Sequence, residues 1–348
     1  MHRRILVTGG AGFIGSAVVR RLISNTSDEV LVVDKLTYAG NLSSLADVSE
    51  EPRFRFLRAD IADEPAMRKA FATFDPDLVL HLAAESHVDR SITEPQAFIE
   101  TNVLGTCILL QVAHDHWRDL DGARRDGFRF VQISTDEVFG ALGSEGCFDE
   151  NSPYRPNSPY AASKAAGDHL VFAWLRTYGL PVLLTNGSNT FGPYQYPEKL
   201  IPRMIINALG GRSLPVYGAG ENVRDWLHVD DHAEAIHRVA EDGAVGERYT
   251  IGGGCERANI DVVRMICSIL DTIAADPSKR SHERLIAFVE DRAGHDFRYA
   301  VDSRHIHSLG WRPRIDFDKG LHETVRWYCE NRDWWQEEAT RTGVAADA

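Results

Sequence analysis

Apolar residues in the first half of the chain fall into short unbroken runs separated by longer segments with one apolar face. Residues 3–8 read as a buried strand running into a glycine turn. From 11 to 25 the apolar positions Phe13, Ile14, Val18, Leu22 and Ile23 keep helical spacing. Further strands are expected at 30–33 (ending at Asp34), 54–57, 78–82, 128–133 and 181–185. Helices are expected over about 64–74, 95–117 and 159–178. Strands that are apolar throughout are buried on both faces. Alternating with helices, they predict an α/β fold with a doubly wound parallel sheet of the Rossmann type. After Asn186 Gly, Pro and Tyr become frequent, and helices near 199–209, 230–241, 259–272 and 318–331 alternate with short strands. The pattern predicts a Rossmann domain over 1–186 and a smaller mixed α/β region, covering the substrate side, over 187–335. The boundary is soft, with some later segments returning to the main sheet, and a frayed tail spans 336–348.

The 348 residues give ample chain for a core. A net charge of −13 argues against nucleic acid or a membrane surface as partner, while a few local Arg or Lys side chains still admit an anionic nucleotide. The five cysteines are scattered and none forms a C-x-x-C pair, which predicts a reducing compartment and no metal site. Met1-His-Arg-Arg is charged like a signal-peptide start, but the apolar run Ile5-Leu6-Val7 behind it is too short for one. No stretch approaches the roughly eighteen apolar residues of a membrane span, so the expected location is the cytoplasm.

Candidate chemistry begins at Thr8-Gly9-Gly10-Ala11-Gly12-Phe13-Ile14-Gly15, between a strand and a helix. Glycines at 9, 12 and 15 permit a sharp turn and close approach of a pyrophosphate to the N–H groups of the new helix. Asp34, at the end of the next strand, suits ribose hydroxyls and repels a 2′-phosphate, so NAD is preferred over NADP; the neighbouring cation Lys35 argues the other way. Asp60-Ile61 either reaches the adenine or marks a helix N-cap.

Tyr160 and Lys164, four apart, share one helix face. An ammonium and a positive nicotinamide ring would lower the phenol pKa so that Tyr160 takes a hydroxyl proton as hydride leaves carbon. Thr135-Asp136-Glu137 closes the fifth strand. Both carboxylates can face one substrate only if the chain has left the strand by Asp136. If they converge, repulsion keeps one of them protonated, giving the acid and base that elimination of water needs. The competing reading is a solvated loop pair.

These motifs, together with Leu82-Ala-Ala-Glu-Ser-His-Val-Asp-Arg-Ser91, Ser134–Gly140, Gly192–Pro202, Arg224–His232 and Gly294-His-Asp296, resemble the extended short-chain dehydrogenase/reductase family, and within it the nucleotide-sugar 4,6-dehydratases. The resemblance covers about 5–327. It implies a cycle on one retained NAD with dTDP-glucose as substrate. Tyr160, helped by Thr135, takes the 4-hydroxyl proton as hydride leaves C4; Glu137 removes the C5 proton; Asp136 protonates the departing 6-hydroxyl; hydride returns to C6. It places Gly12, Phe13 and Ile14 at the pyrophosphate and Asp34, Lys35, Leu36, Thr37, Asp60 and Ile61 around the adenosine. Ala83, Thr101, Tyr160 and Lys164 fall nearer the nicotinamide half. Substrate contacts fall on Ser86, Thr135, Asn189, Lys199, Arg224, Asn259, Arg292 and His295, with Arg224 for the diphosphate and a surface ion pair with Asp225 or Asp230 as its alternative. Where the family reads Ser-Asn-Asn-Tyr this chain has Ser188-Asn189-Thr190-Phe191, so Thr190 stands for an asparagine amide beside the nicotinamide. Ala293 and Phe139 replace a proline and a tyrosine. The resemblance also implies a homodimer formed through 95–117 and 159–178. The rival readings are a 4-epimerase or dehydratase for another nucleotide sugar such as a UDP-hexose, which the acid–base pair and an open base preference respectively address, and a nucleotide-binding regulatory protein.

Overall fold

The computed structural model describes residues 2–276, 278–291 and 294–336. Strands β1 (Arg4–Thr8), β2 (Glu29–Asp34), β3 (Phe54–Arg58), β4 (Leu78–His81), β5 (Arg129–Thr135), β6 (Val182–Gly187) and a seventh, Arg248–Ile251, form one sheet. Its order is 3-2-1-4-5-6 with Arg248–Ile251 beyond β6, and every neighbouring pair is parallel. The order reverses between β1 and β4, which opens a crevice above their carboxyl ends.

The unbroken apolar runs are explained by what covers them. Ile5, Val7, Val30, Val32 and Leu80 face helix α1 (Phe13–Asn25) and the helix Val229–Asp242. Their neighbours Leu6, Leu31, Val33, Val79 and Phe130 face helix α2 (Glu64–Phe74) and the helices Thr106–Asp119 and Pro159–Tyr178. Successive strand residues thus feed two cores, and neither face needs polar positions.

The chain after Asn186 is interleaved with this sheet. Helix Val229–Asp242 packs on α1, and Arg248–Ile251 extends the sheet. The remainder builds a lobe of its own. Strands Asn189–Phe191, Val223–His228 and Glu256–Ala258 pair, as do Leu214–Tyr217 and Ile286–Val289. Helices Leu200–Leu209, Asn259–Ile273 and Phe317–Glu330 close around Phe191, Ile205, Leu270, Leu321 and Tyr328.

The helix expected over 95–117 has three parts: Pro95–Ile99, a π-helical stretch Glu100–Gly105, and Thr106–Asp119. By length and composition the whole stretch Pro95–Asp119 is apolar enough to cross a membrane, contrary to the sequence expectation; more than half of its apolar window is buried against α2 and Pro159–Tyr178, which accounts for the composition. The wider π turn swings the Asn102 side chain inward, where it bonds the backbone N–H and C=O of Glu85 and the hydroxyl of Ser163.

Under the crevice, His81 lies between two hydroxyls, Thr8 Oγ1 at 2.7 Å and Thr106 Oγ1 at 3.0 Å, and ties β1, β4 and the π-turn helix together. It is fully buried, and burial together with the Lys164 charge pushes its pKa down to about 3. The folded state therefore binds this proton less readily than the unfolded chain. The associated stability is complete above the unfolded value near 6.5 and drains away as pH falls towards 3. Between about pH 7.5 and pH 5 the stability advantage of the wild type over His81→Gln should shrink by about 2 kcal/mol, measured by urea denaturation at both pH values.

Candidate active site

The turn after β1 is set by sterics. Gly9 has φ 69°, and a Cβ there would come within 2.6 Å of the Ala83 backbone nitrogen. A Cβ at Gly15 would collide with the Gly9 carbonyl oxygen. Helix α1 starts at Phe13 with Gly12 as its N-cap and no side chain capping it. Its first N–H groups and positive dipole end thus stay available to a ligand at the crevice floor. With Asp34 at the end of β2, the donor set fits a dinucleotide, pyrophosphate over the turn.

A cavity of about 290 Å³ runs from this turn past the ends of β4, β5 and β6. It brings together Gly9, Gly12, Phe13, Ile14, Gly15, Asp34, Lys35, Thr37, Asp60, Ile61, Ala83, Thr101 and Thr190 from the cofactor set, and all of Thr135, Asp136, Glu137, Tyr160 and Lys164. Of the substrate set it contains Ser86, Asn189 and Lys199.

At the adenosine end, Asp34 accepts the N–H of Ala11 (3.0 Å) on one oxygen and of Leu36 (2.8 Å) on the other. Burial raises its pKa and those two bonds oppose the rise. Leu36 has a left-handed backbone (φ 55°) that closes that turn onto Asp34, and its side chain packs on the core while its neighbours Lys35 and Thr37 line the cavity. Lys35 is held by acids, 3.5 Å from Asp60 and 3.9 Å from Glu85, which leaves its charge largely compensated against a 2′-phosphate. Thr101, expected nearer the nicotinamide, bonds the Lys35 ammonium at 3.0 Å and so stands with the Asp60 group, carried there by the π turn. The N-cap of α2 is Asp63, and Asp60 instead accepts the Ala62 N–H.

At the other end β5 stops at Thr135. The Thr135 hydroxyl oxygen accepts the Glu137 N–H at 3.2 Å and opens a 3₁₀ turn, Asp136–Phe139. The chain has left the strand at Asp136, and both carboxyl groups line the same cavity. Asp136 is 2% exposed. Burial, then Glu137, then Asp225 push its pKa well above the carboxylate range, against the pull of Arg224, and so favour the protonated form. The Tyr160 phenol, also buried, is pushed well above its usual value by burial and by Glu137, while a hydrogen bond with Thr135 pulls it down. The expected lowering by Lys164 is not built as a direct contact: the ammonium donates to the Ile133 carbonyl at 2.8 Å.

Of the other substrate candidates, the described residues Arg224, Asn259 and His295 stand outside the cavity lining. Arg224 is buried, donates to the carbonyls of Val223 (2.8 Å) and Asp296 (2.9 Å), and stacks 4.5 Å from the Tyr299 ring centre. Its charge still reaches Asp136. It is not on the surface, as an ion pair there would require. Asn259 begins the helix Asn259–Ile273 with its Oδ1 buried and without a protein partner. His295 bonds Asp291 at 2.7 Å and lies edge-on to Tyr217. Arg292 and Ala293 lie outside the described residues. The sequence reading passed over Glu198, which lines the cavity and is pushed up to about 7, chiefly by burial. It also passed over the buried Asp168 and Tyr299. Glu198 sits in a motif segment and was detectable there; the other two are revealed only by packing.

A family model described as GDP-mannose 4,6 dehydratase matches residues 6–324. The dTDP-glucose 4,6-dehydratase of Neisseria meningitidis serogroup B is 56% identical over 340 residues, covering 96% of this chain and 95% of its own. The dTDP-glucose 4,6-dehydratase 1 of Escherichia coli K12 is 55% identical over 341 residues, covering 95% and 94%. Among solved structures, the dTDP-glucose 4,6-dehydratase of Streptomyces venezuelae, with NAD bound, superposes with a TM-score of 0.87 at 47% identity, covering 96% of this chain and 99% of that one. A UDP-glucose 4-epimerase of Thermotoga maritima does so at 0.83 and 28%, covering 94% and 99%.

The crowding at Gly15 yields a test. Gly15→Ala should weaken NAD binding by at least about tenfold, about 1.4 kcal/mol, in calorimetric titration. Gly127→Ala, where a Cβ meets nothing within 4 Å, should leave it unchanged.

Proposed function

The chain belongs to the GDP-mannose 4,6 dehydratase family, and from that premise we propose that it catalyses the dTDP-glucose 4,6-dehydratase reaction. The hexose is oxidised at C4, water is lost across C5 and C6, and hydride returns to C6 as a proton is restored at C5, giving dTDP-4-keto-6-deoxyglucose. The enzyme is an NAD-dependent hydro-lyase. The observation that carries this reading is the acid–base pair: Asp136, whose burial favours its protonated form, beside Glu137 in the cavity that also holds Tyr160. Oxidation alone needs no such pair.

NAD, when bound, supplies the acceptor and donor of hydride. Gly12, Phe13 and Ile14 would hold its pyrophosphate and Asp34 its ribose hydroxyls. Tyr160 takes the proton of the 4-hydroxyl, with the Thr135 hydroxyl sharing that hydrogen bond. Once C4 is a ketone the C5 proton is acidic, and Glu137 removes it. Asp136 donates its proton to the 6-hydroxyl as water leaves. Ser86, Asn189 and Lys199 orient the sugar nucleotide, with Arg224, Asn259, Arg292 and His295 towards its diphosphate and base. Residues 1–186 serve mainly NAD and 187–335 mainly the substrate.

The enzyme works in the cytoplasm as a homodimer. All five cysteines are free, in keeping with a reducing compartment. Ile99 (52%) and Leu104 (51%) expose large apolar side chains on the stretch Pro95–Asp119, and Tyr178 (49%) does so at the end of Pro159–Tyr178. Paired across a two-fold axis, these helices would cover them.

Incubation with dTDP-glucose deuterated at C4 should give a 4-ketone carrying deuterium at C6, read by NMR. Label lost to solvent, or turnover of UDP-glucose in preference to dTDP-glucose, would overturn the assignment. Glu137→Gln should lower turnover at least about 100-fold while NAD stays bound, seen as nucleotide released on denaturation. Leu104→Asp should sediment as a monomer; an unchanged dimer would move the interface elsewhere.

A further inference from the structure

We propose that Asp168 is a positioning residue for the redox step: it is the buried counter-charge that keeps Lys164 an ammonium beside the base Tyr160. The inference rests on the role given to Tyr160 above. Tyr160, Lys164 and Asp168 stand at successive i, i+4 positions of the helix Pro159–Tyr178, so they share one face. Lys164 and Asp168 are both buried, Asp168 completely. The Lys164 ammonium donates to the Ile133 carbonyl, which gives it an acceptor but no compensating charge. Asp168 supplies that charge. One of its oxygens accepts two hydroxyls, Ser134 Oγ at 2.7 Å and Tyr154 OH at 2.8 Å. Burial raises the Asp168 pKa; the Lys164 charge and these two donors oppose that rise and favour the anionic form.

The other groups facing this pair do not replace Asp168. On β4, His81 is neutral, and the Lys164 charge helps keep it so. The π-helical segment presents Asn102 and the α-helix after it Thr106, which do not titrate in this range. Past β5, burial favours the protonated form of Asp136, and Glu137 acts on Tyr160 from the substrate side. Tyr154 carries the Arg248 guanidinium 4.6 Å from its ring centre, a second cation acting on Asp168. His169, on the same helix, packs on Tyr154. Burial lowers the Lys164 pKa and Asp168 raises it. With Asp168 neutral, Lys164 sheds its proton more readily, a positive charge is lost beside the phenol, and Tyr160 ionises at higher pH.

The test uses the NAD-loaded protein with dTDP-glucose. Asp168→Asn keeps the shape and an acceptor for both hydroxyls. It should move the acid limb of the kcat–pH profile upward by about one pH unit with KM unchanged. The tyrosinate ultraviolet difference spectrum, wild type minus Tyr160→Phe, should shift the same way when both carry Asp168→Asn. Tyr154→Phe removes one donor, keeps the ring, and should give a smaller shift of the same sign; it carries the test if Asp168→Asn does not fold. A rate lowered equally at every pH, or no shift in either variant, overturns the inference while leaving the dehydratase reading intact. Full turnover by Tyr160→Phe overturns both.

Discussion

The structure turns on the hydrogen bond from the Glu137 N–H to the Thr135 hydroxyl. A strand sends successive side chains to opposite faces, so an acid and a base adjacent in sequence cannot meet one substrate while they remain in it. Thr135 is the last residue of β5 and caps the turn that follows. Its carbonyl is held by Asn186 Nδ2 at 2.9 Å, so the strand end is fixed from β6 as well. The chain leaves the sheet at the one residue where leaving brings Asp136 and Glu137 to the same cavity. The parallel sheet then places that cavity at the carboxyl ends of its strands, where the glycine turn of β1 also opens.

Charge burial separates the roles of groups that would otherwise be alike. Asp136 and Glu137 are neighbours, yet only Asp136 is enclosed, and its enclosure favours its protonated form. The same burial works against Tyr160, whose anion must form in a site that disfavours it. A buried Lys164 compensates only while it stays charged. The block behind the redox site therefore reads as one electrostatic unit, in which neutral His81, cationic Lys164 and the doubly hydrogen-bonded Asp168 limit one another.

Most of the fold was legible because the strands are apolar throughout and the helices periodic. Runs such as Ile5-Leu6-Val7 have no other stable use than a sheet covered on both sides. The glycine turn, Asp34, the tyrosine–lysine pair and the Thr-Asp-Glu triplet were legible because each is local: its chemistry needs residues a few positions apart. What escaped depends on packing between distant segments. Arg248–Ile251 is too short to declare which sheet it joins. The π turn differs from an α-helix by one residue per turn, and it moved Thr101 towards Lys35. Leu36 left the cavity because of a backbone angle, which residue type does not reveal. Asp168 looked like any polar residue on a helix until Ser134 and Tyr154 closed on it from two other segments.

Thr190 shows how a departure from the family pattern is absorbed locally. An asparagine amide would offer two donors and an acceptor; threonine offers one of each, closer to the backbone. The Thr190 hydroxyl is within 3.1 Å of the Ser188 carbonyl, to which it donates, and 2.8 Å from His232 Nδ1. A hydroxyl already donating must accept from the ring, which assigns the proton to Nδ1; burial supports a neutral ring by pushing the His232 pKa down to about 4. The imidazole in turn lies over Gly187, the last residue of β6, where any Cβ would strike it. Thr190 is thus satisfied within the protein and braced through His232 against the strand end that pairs with Thr135. The substitution changes what the cavity wall offers at one point, and the acid–base turn across from it keeps its anchorage.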